Sequence, residues 1–178
     1  MTSAIRSSVF VGTSLDGFIA RPNGDFDFLK PWEGQEHGYR AFMATVDTIV
    51  MGRNTYEKVL TLDDWPYGGT PVVVLTSRPL DVPAGRTWIV EHMGGSPKDI
   101  VSRLAARGAT HLYVDGGITV QRFLREGLIE RLIITRVPVL IGTGIPLFGA
   151  VPSDIRLTHV ATREYPSGMV QSEYTVAT

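Results

Sequence analysis

The sequence predicts an α/β fold: a central, mostly parallel sheet flanked by helices, with an antiparallel hairpin at the C-terminal end. Three observations predict it. Short apolar, β-branched runs alternate along the chain with segments of helical period. The run inside TPVVVLTS is continuous rather than alternating, as expected of a strand covered on both faces. The tail RLTHVATREYPSGMVQSEYTV reads as two strands about a Pro166-Ser167-Gly168 turn.

In order, SVFVGTS is the first strand. A long loop rich in glycine, proline and aromatics follows, LDGFIARPNGDFDFLKPWEG, and loops of this length in compact domains commonly carry function. EHGYRAFMATV predicts a helix with Tyr39, Phe42, Met43 and Val46 on one face. DTIVMG is a buried strand, and RNTYEKVLTL a short helix with Asn54 or Thr55 as its cap. TPVVVLTS and TWIVEH are strands. SPKDIVSRLAARG is a helix with Ser96 as N-cap, Pro97 in its first turn and Gly108 at its end. THLYVDGG is a strand, ITVQRFLREG a helix with Val120, Phe123 and Leu124 inward, and ERLIITRVPVLIG a further strand.

The chain of 178 residues fits one domain, taken as 1–178. A net charge of −1 gives no reason to expect nucleic acid or an acidic membrane as partner. The absence of cysteine excludes disulfides, a thiol nucleophile and thiolate metal sites. His37, His92, His111 and His159 show no metal-ligand spacing, so no metal is expected. The N-terminus does not read as a signal peptide, and no apolar run approaches the roughly 20 residues that span a bilayer. A cytoplasmic location is the expectation.

Three strand ends carry the chemistry. In an open α/β sheet, ligands bind beyond the carboxyl ends of the strands. In IVMGRNTYE, Arg53 follows the strand at once, where a helix start offers free N–H groups and a positive dipole to an anion. A surface ion pair is the plainer account of the same arginine. Thr76-Ser77-Arg78 repeats the arrangement after the next strand; alone it would be a polar turn closed by Pro79. Val114-Asp115-Gly116-Gly117-Ile118-Thr119 places paired glycines between strand and helix, which suits either close approach of a phosphate or a tight turn. GxGxxG is absent, so this is not the usual dinucleotide fingerprint.

SLDGFIA, VDTIVMGRNTYE, VVVLTSRP, LYVDGG and LIERLIITRVPVLIGTGIPLF, in that order and over nearly the whole chain, resemble the dihydrofolate reductase-like superfamily. The closer resemblance is to its branch related to the C-terminal reductase domain of bacterial riboflavin biosynthesis. The resemblance implies NADPH as hydride donor. It implies that Arg53, Thr76, Ser77 and Arg78 hold the phosphate on the adenosine ribose. It places Thr55 near the pyrophosphate, with Gly52 and Asn54 also among the cofactor-binding residues. Gly116 and Gly117, with Ile118 and Thr119, match the glycine pair against which the cofactor packs. Gly12, Thr13, Ser14, Asp16 and Ile19 match the first strand and the loop beside the nicotinamide.

The chain departs from the pattern on the substrate side. Near Thr70, where folate reductases carry an arginine for the folate glutamate, there is none, and TYEKVLTL replaces the stretch usual in the riboflavin branch. Glu36 and Asp16 are the catalytic candidates, with His37, Glu33 and water as other sources of the proton. Trp32 and Phe42 are expected to wall the substrate pocket, with core packing as the other role open to Phe42. The reading is an NADPH-dependent reductase of a small pterin-, folate- or pyrimidine-like heterocycle or imine. Alternatives are a non-catalytic NADPH or phospho-ligand binding protein, and the reductase acting on a phosphoribosylated pyrimidine in riboflavin synthesis. A homodimer through VPVLIGTGIPLF is expected.

Overall fold

The structure is a computed structural model that describes residues 5–32, 34–35, 37–85 and 88–177. Strands β1 (Arg6–Thr13), β3 (Thr48–Gly52), β4 (Val72–Leu75), β5 (Val90–Met93), β6 (His111–Asp115), β7 (Arg131–Arg136), β9 (Leu157–Glu164) and β10 (Val170–Val176) form one sheet. Its order is β5-β4-β3-β6-β1-β7-β10-β9. Neighbours from β5 to β7 pair in parallel, and β10 runs antiparallel to both β7 and β9. Two short strands, β2 (Phe18–Ala20) and β8 (Ile145–Pro146), pair separately. The helices are α1 (Tyr39–Met43), α2 (Arg53–Val59), α3 (Pro97–Ala106) and α4 (Gly117–Arg125). The expected mostly parallel sheet and C-terminal antiparallel strands are both present.

Both faces of the sheet are covered, which explains the unbroken apolar strands. In β3, Val50 faces the cluster that holds Ile100, Leu104 and Phe123 of α3 and α4. Ile49 and Met51 face the other way, into the cluster that holds Phe42 of α1 and Tyr56 of α2. β4 divides likewise, Val73 to the first face, Val72 and Val74 to the second. The terminal turn closes as expected, with Tyr165 N–H donating to Met169 O at 3.0 Å and Gly168 at φ 86°.

Three elements differ from the sequence reading. The helix predicted from residue 36 begins only at Tyr39, because Gly38 sits in the left-handed region at φ 81° and breaks the run before it. α2 is capped by Gly52, not by Asn54 or Thr55; neither side chain closes that helix start. The strand predicted to run through VPVLIG stops at Arg136, just before Pro138, which has no N–H to give a ladder. α3 begins as read: Ser96 Oγ accepts from Asp99 N–H at 3.2 Å, and Asp99 returns the bond to Ser96 N–H.

The sheet order places the functional stretches. β6 lies between β3 and β1, so the carboxyl ends of these three strands stand side by side. A crevice at such a reversal of strand order is where open α/β sheets bind ligands.

Candidate active site

Two helices start at this crevice, and their starts lock together. A Cβ on Gly116 would overlap Thr55 Oγ1, and Gly116 has φ 91°, so only glycine lets α2 approach the end of β6. Reciprocally, a Cβ on Gly52 would stand 3.1 Å from Thr119 Oγ1. Neither α2 nor α4 has a side-chain cap, whereas α3 is closed by its Ser96–Asp99 box. The first N–H groups of a helix need a partner. At α2 and α4 that partner can be a bound anion, which the dipole also favours.

Arg53 joins this junction to the next strand end. Its Nε lies 3.3 Å from Thr76 Oγ1, and its Nη2 donates to Arg78 O at 3.1 Å and Pro79 O at 2.6 Å. Nη1 lies 3.3 Å from Glu57, one helical turn on. Thr76 Oγ1 also accepts from Arg78 N–H at 3.2 Å. The arginine thus organises the turn over 76–79, on which Ser77 and Arg78 are exposed, as is Asn54 on α2. Arg53, Thr76, Ser77 and Arg78 lie together, but the guanidinium of Arg53 is turned to Thr76, Glu57 and the carbonyls of Arg78 and Pro79, so it shapes the turn that Ser77 and Arg78 present.

At the end of β1, Thr13 is buried and its Oγ1 has no hydrogen-bond partner among the described residues. A buried hydroxyl without a partner is costly, so the position suits a ligand that supplies one. A Cβ on Gly12 would stand 3.3 Å from Leu29, and one on Gly117 would stand 3.0 Å from Ile19. Gly12, Thr13, Ile19, Gly116 and Gly117 therefore frame one end of the crevice. Thr119 is buried, while Ile118 projects into solvent at 63% exposure.

Asp16 does not fit the acid role given it from sequence. It is exposed and accepts from Gly142 N–H at 2.8 Å and Ile141 N–H at 3.3 Å. The Ser14 hydroxyl, with these amides, holds its carboxyl below the usual range. A carboxylate so stabilised is a poor proton donor; here it clamps the turn after β1 to the 141–142 loop. Ser14 is fully buried and accepts from Phe18 N–H at 3.0 Å.

Phe42 is 4% exposed and packs against Phe10, His111 and Tyr113; the cavity it helps line lies with Thr45, Ile133 and Glu173, not with Asp115 at the strand ends. Glu36 lies outside the described residues, as does the Trp32 side chain.

The structure supplies an acid that sequence reasoning passed over. Asp115 ends β6 in the middle of the crevice, on the same face as Tyr113. Its Oδ1 accepts from Gly116 N–H at 2.8 Å and its Oδ2 from the Tyr67 hydroxyl at 3.3 Å. It keeps some solvent access, yet dense surroundings push its carboxyl pKa up, against the pull of those two bonds. Tyr39, Tyr67 and Tyr113 are raised too, by burial first and by the Asp115 charge second. A partly accessible carboxyl that burial makes easier to protonate than a free one, at a strand end, is suited to pass a proton. The signal available in the sequence was a carboxylate two residues after Tyr113 at the end of an otherwise apolar strand.

Comparison with known proteins agrees with this architecture. The RibD C-terminal domain family matches residues 8–171. An uncharacterised Bacillus subtilis protein, YwjB, is 32% identical over 163 residues, covering 90% of this chain and 92% of YwjB. The crystal structure of a Shewanella sp. PV-4 protein provisionally assigned to riboflavin biosynthesis superposes with TM-score 0.90 at 39% identity, over 98% of this chain and 100% of that one. Dihydrofolate reductase from Enterococcus faecalis, in complex with NADP(H), shares the fold at TM-score 0.68 and 17% identity, over 99% and 98% of the two chains.

Proposed function

The chain belongs to the RibD C-terminal domain family, and on that premise we propose that it is an NADPH-dependent reductase of a small heterocyclic or imine-type substrate. One observation carries the reading. Two uncapped helix starts, a patch organised by Arg53 and a carboxyl biased toward protonation meet at the same strand ends. Bound there, NADPH would supply a hydride, with its electron pair, to the electron-poor carbon of a C=N or C=O bond.

The chain's own residues do the rest. The starts of α2 and α4 would hold the pyrophosphate, with Thr55 and Thr119 fixing how closely the two helices approach. Ser77 and Arg78 would hold the ribose phosphate on the turn that Arg53 shapes. The Thr13 hydroxyl would serve the nicotinamide end. Asp115 gives its proton to the nitrogen or oxygen beside the reduced carbon and regains one from water. The Tyr67 hydroxyl orients that carboxyl throughout.

The test is NADPH consumption with 7,8-dihydropterin as acceptor. Asp115→Asn should bind NADPH as wild type does and lose most of its turnover, since general acid catalysis typically contributes 10²–10⁴-fold. Undiminished turnover in the variant would remove Asp115 from the mechanism. NADPH binding without turnover on any pterin, pyrimidine or quinone acceptor would favour a non-catalytic binding protein.

The same reading pairs two copies of the chain. Leu140 and Phe148, 69% and 45% exposed, supply an apolar surface in the VPVLIGTGIPLF stretch. Sedimentation equilibrium at the mass of two chains is expected, and a monomer at micromolar concentration would refute it. No helix among the described residues is long and apolar enough to cross a membrane.

A further inference from the structure

The crevice around Asp115 has a cover and a rim, and both carry charge. Leu29 packs on Gly12 of β1, while Asp25 reaches Lys58 of α2. The chain from Asp25 to Leu29 thus runs between α2, which follows β3, and β1, the two strands on either side of β6 and Asp115. The loop over 60–71, between α2 and β4, forms the rim and sends Tyr67 in to Asp115.

We propose that the substrate of this crevice is a flat ring compound, uncharged or cationic, that carries no phosphate or carboxylate tail. The inference rests on reading the crevice as the substrate side of a reductase. Two of the cations that border it, among the described residues, are already matched. Lys58 Nζ lies 2.6 Å from Asp25 Oδ1 and sits over the Phe26 ring at 5.9 Å. Arg21 binds both oxygens of Asp27, the second at 3.0 Å, and sits over Phe28. The rim adds Asp63 and Asp64, both exposed, and no lysine or arginine.

An anionic tail leaving this crevice would therefore meet carboxylates. Among the described residues, Lys58 or Arg21 could serve it only by leaving Asp25 or Asp27 beside it without a partner. Juxtaposed like charges are how a site rejects a competitor whose ring would otherwise fit. Lys30 and Arg40 are exposed to water, where a single ion pair is worth about 1 kcal/mol or less. The ring itself is provided for. Trp65 stacks on Trp88 with centroids 4.1 Å apart and meets Tyr67 edge-on at 5.2 Å, so the rim presents aromatic surface beside Tyr67 and Asp115.

The test uses two acceptors that differ by one phosphate ester, 7,8-dihydroneopterin and its 3′-phosphate, with the full chain at low salt. NADPH binding is measured first by fluorescence. Its absence would sink the reductase reading, separately from this inference. With NADPH bound, the alcohol should be preferred by roughly tenfold or more in kcat/KM, or in Kd where only binding is seen. Asp63→Asn/Asp64→Asn, two changes at exposed positions, should narrow the preference severalfold. High salt should narrow it in the unmodified chain, a readout that needs no variant to fold. Equal or tighter use of the phosphate ester overturns the inference. So does a preference that neither salt nor the double variant moves, or silence toward both pterins.

Discussion

Gly116→Ala perturbs the junction on which the site is built, and its cost can be worked from the structure. At φ 91° an L side chain is strained, by about 1–2 kcal/mol. The new methyl would also overlap Thr55 Oγ1, and forced overpacking typically costs about 1–3 kcal/mol. The sum is roughly 2–5 kcal/mol of unfolding free energy. Relief would come from parting α2 and β6, which displaces the uncapped starts of α2 and α4 and should weaken NADPH binding as well. A double-mutant cycle separates the two terms. Thr55→Ala removes the clashing atoms but not the backbone strain, so Gly116→Ala/Thr55→Ala should recover about 1 kcal/mol or more beyond additivity. Urea denaturation of the four proteins reads the stabilities, and NADPH fluorescence reads the site. A cost for Gly116→Ala below about 0.5 kcal/mol, or strict additivity with Thr55→Ala, would refute the claim that this glycine exists to admit Thr55.

Other expectations follow from the same geometry. Asp115→Asn should raise Tm at neutral and alkaline pH while it removes the proton donor. The folded-state pKa of Asp115 lies above its unfolded value of 3.8, so ionising it costs stability as pH rises from 3.8 through the folded value. A scan at pH 8 that shows no gain would contradict that burial. His111 is buried between Ser8 Oγ at 2.8 Å and Thr45 O at 2.9 Å, and burial pushes its pKa below 6.5. The unfolded chain then binds the extra proton, so this contribution is whole above pH 6.5 and is lost as pH falls toward the folded value. Urea midpoints from pH 7.5 to 5 should fall more steeply for wild type than for His111→Gln. Phe123→Ala empties a fully buried ring from the α3–α4 face and should cost about 3–5 kcal/mol by chemical denaturation.

What the sequence disclosed follows from which interactions are local. VVVL could be read as a two-sided strand because its burial pattern is written in consecutive residues. SPKD likewise announces a capped helix through contacts three residues apart. Arg53 and Thr76 could be grouped because both follow strand ends, and adjacent parallel strands bring such ends together. Asp115 was missed because its character is not local. Beside two glycines it reads as a turn residue, and only Tyr39 and Tyr67, from segments far away in sequence, give it a desolvated pocket. Asp16 erred the other way: a polar residue in the right loop turned out to serve the backbone of Gly142, on a segment 126 positions distant. Helix α1 was overextended because its apolar face, Tyr39, Phe42, Met43 and Val46, says nothing of where the run begins, and the left-handed backbone of Gly38 sets that start at Tyr39.

The central claim is that these strand ends bind NADPH and read its ribose phosphate. The direct measurement is a fluorescence titration with NADPH and with NADH, for the unmodified chain and for Arg53→Ala. A charge-assisted phosphate contact, here from Arg78, is worth about 1.5–3 kcal/mol, so NADPH should bind roughly tenfold or more tighter than NADH, and Arg53→Ala, which releases the turn that presents Ser77 and Arg78, should erase most of that difference. Equal affinity for the two nucleotides, or binding of neither, would contradict the account at its base.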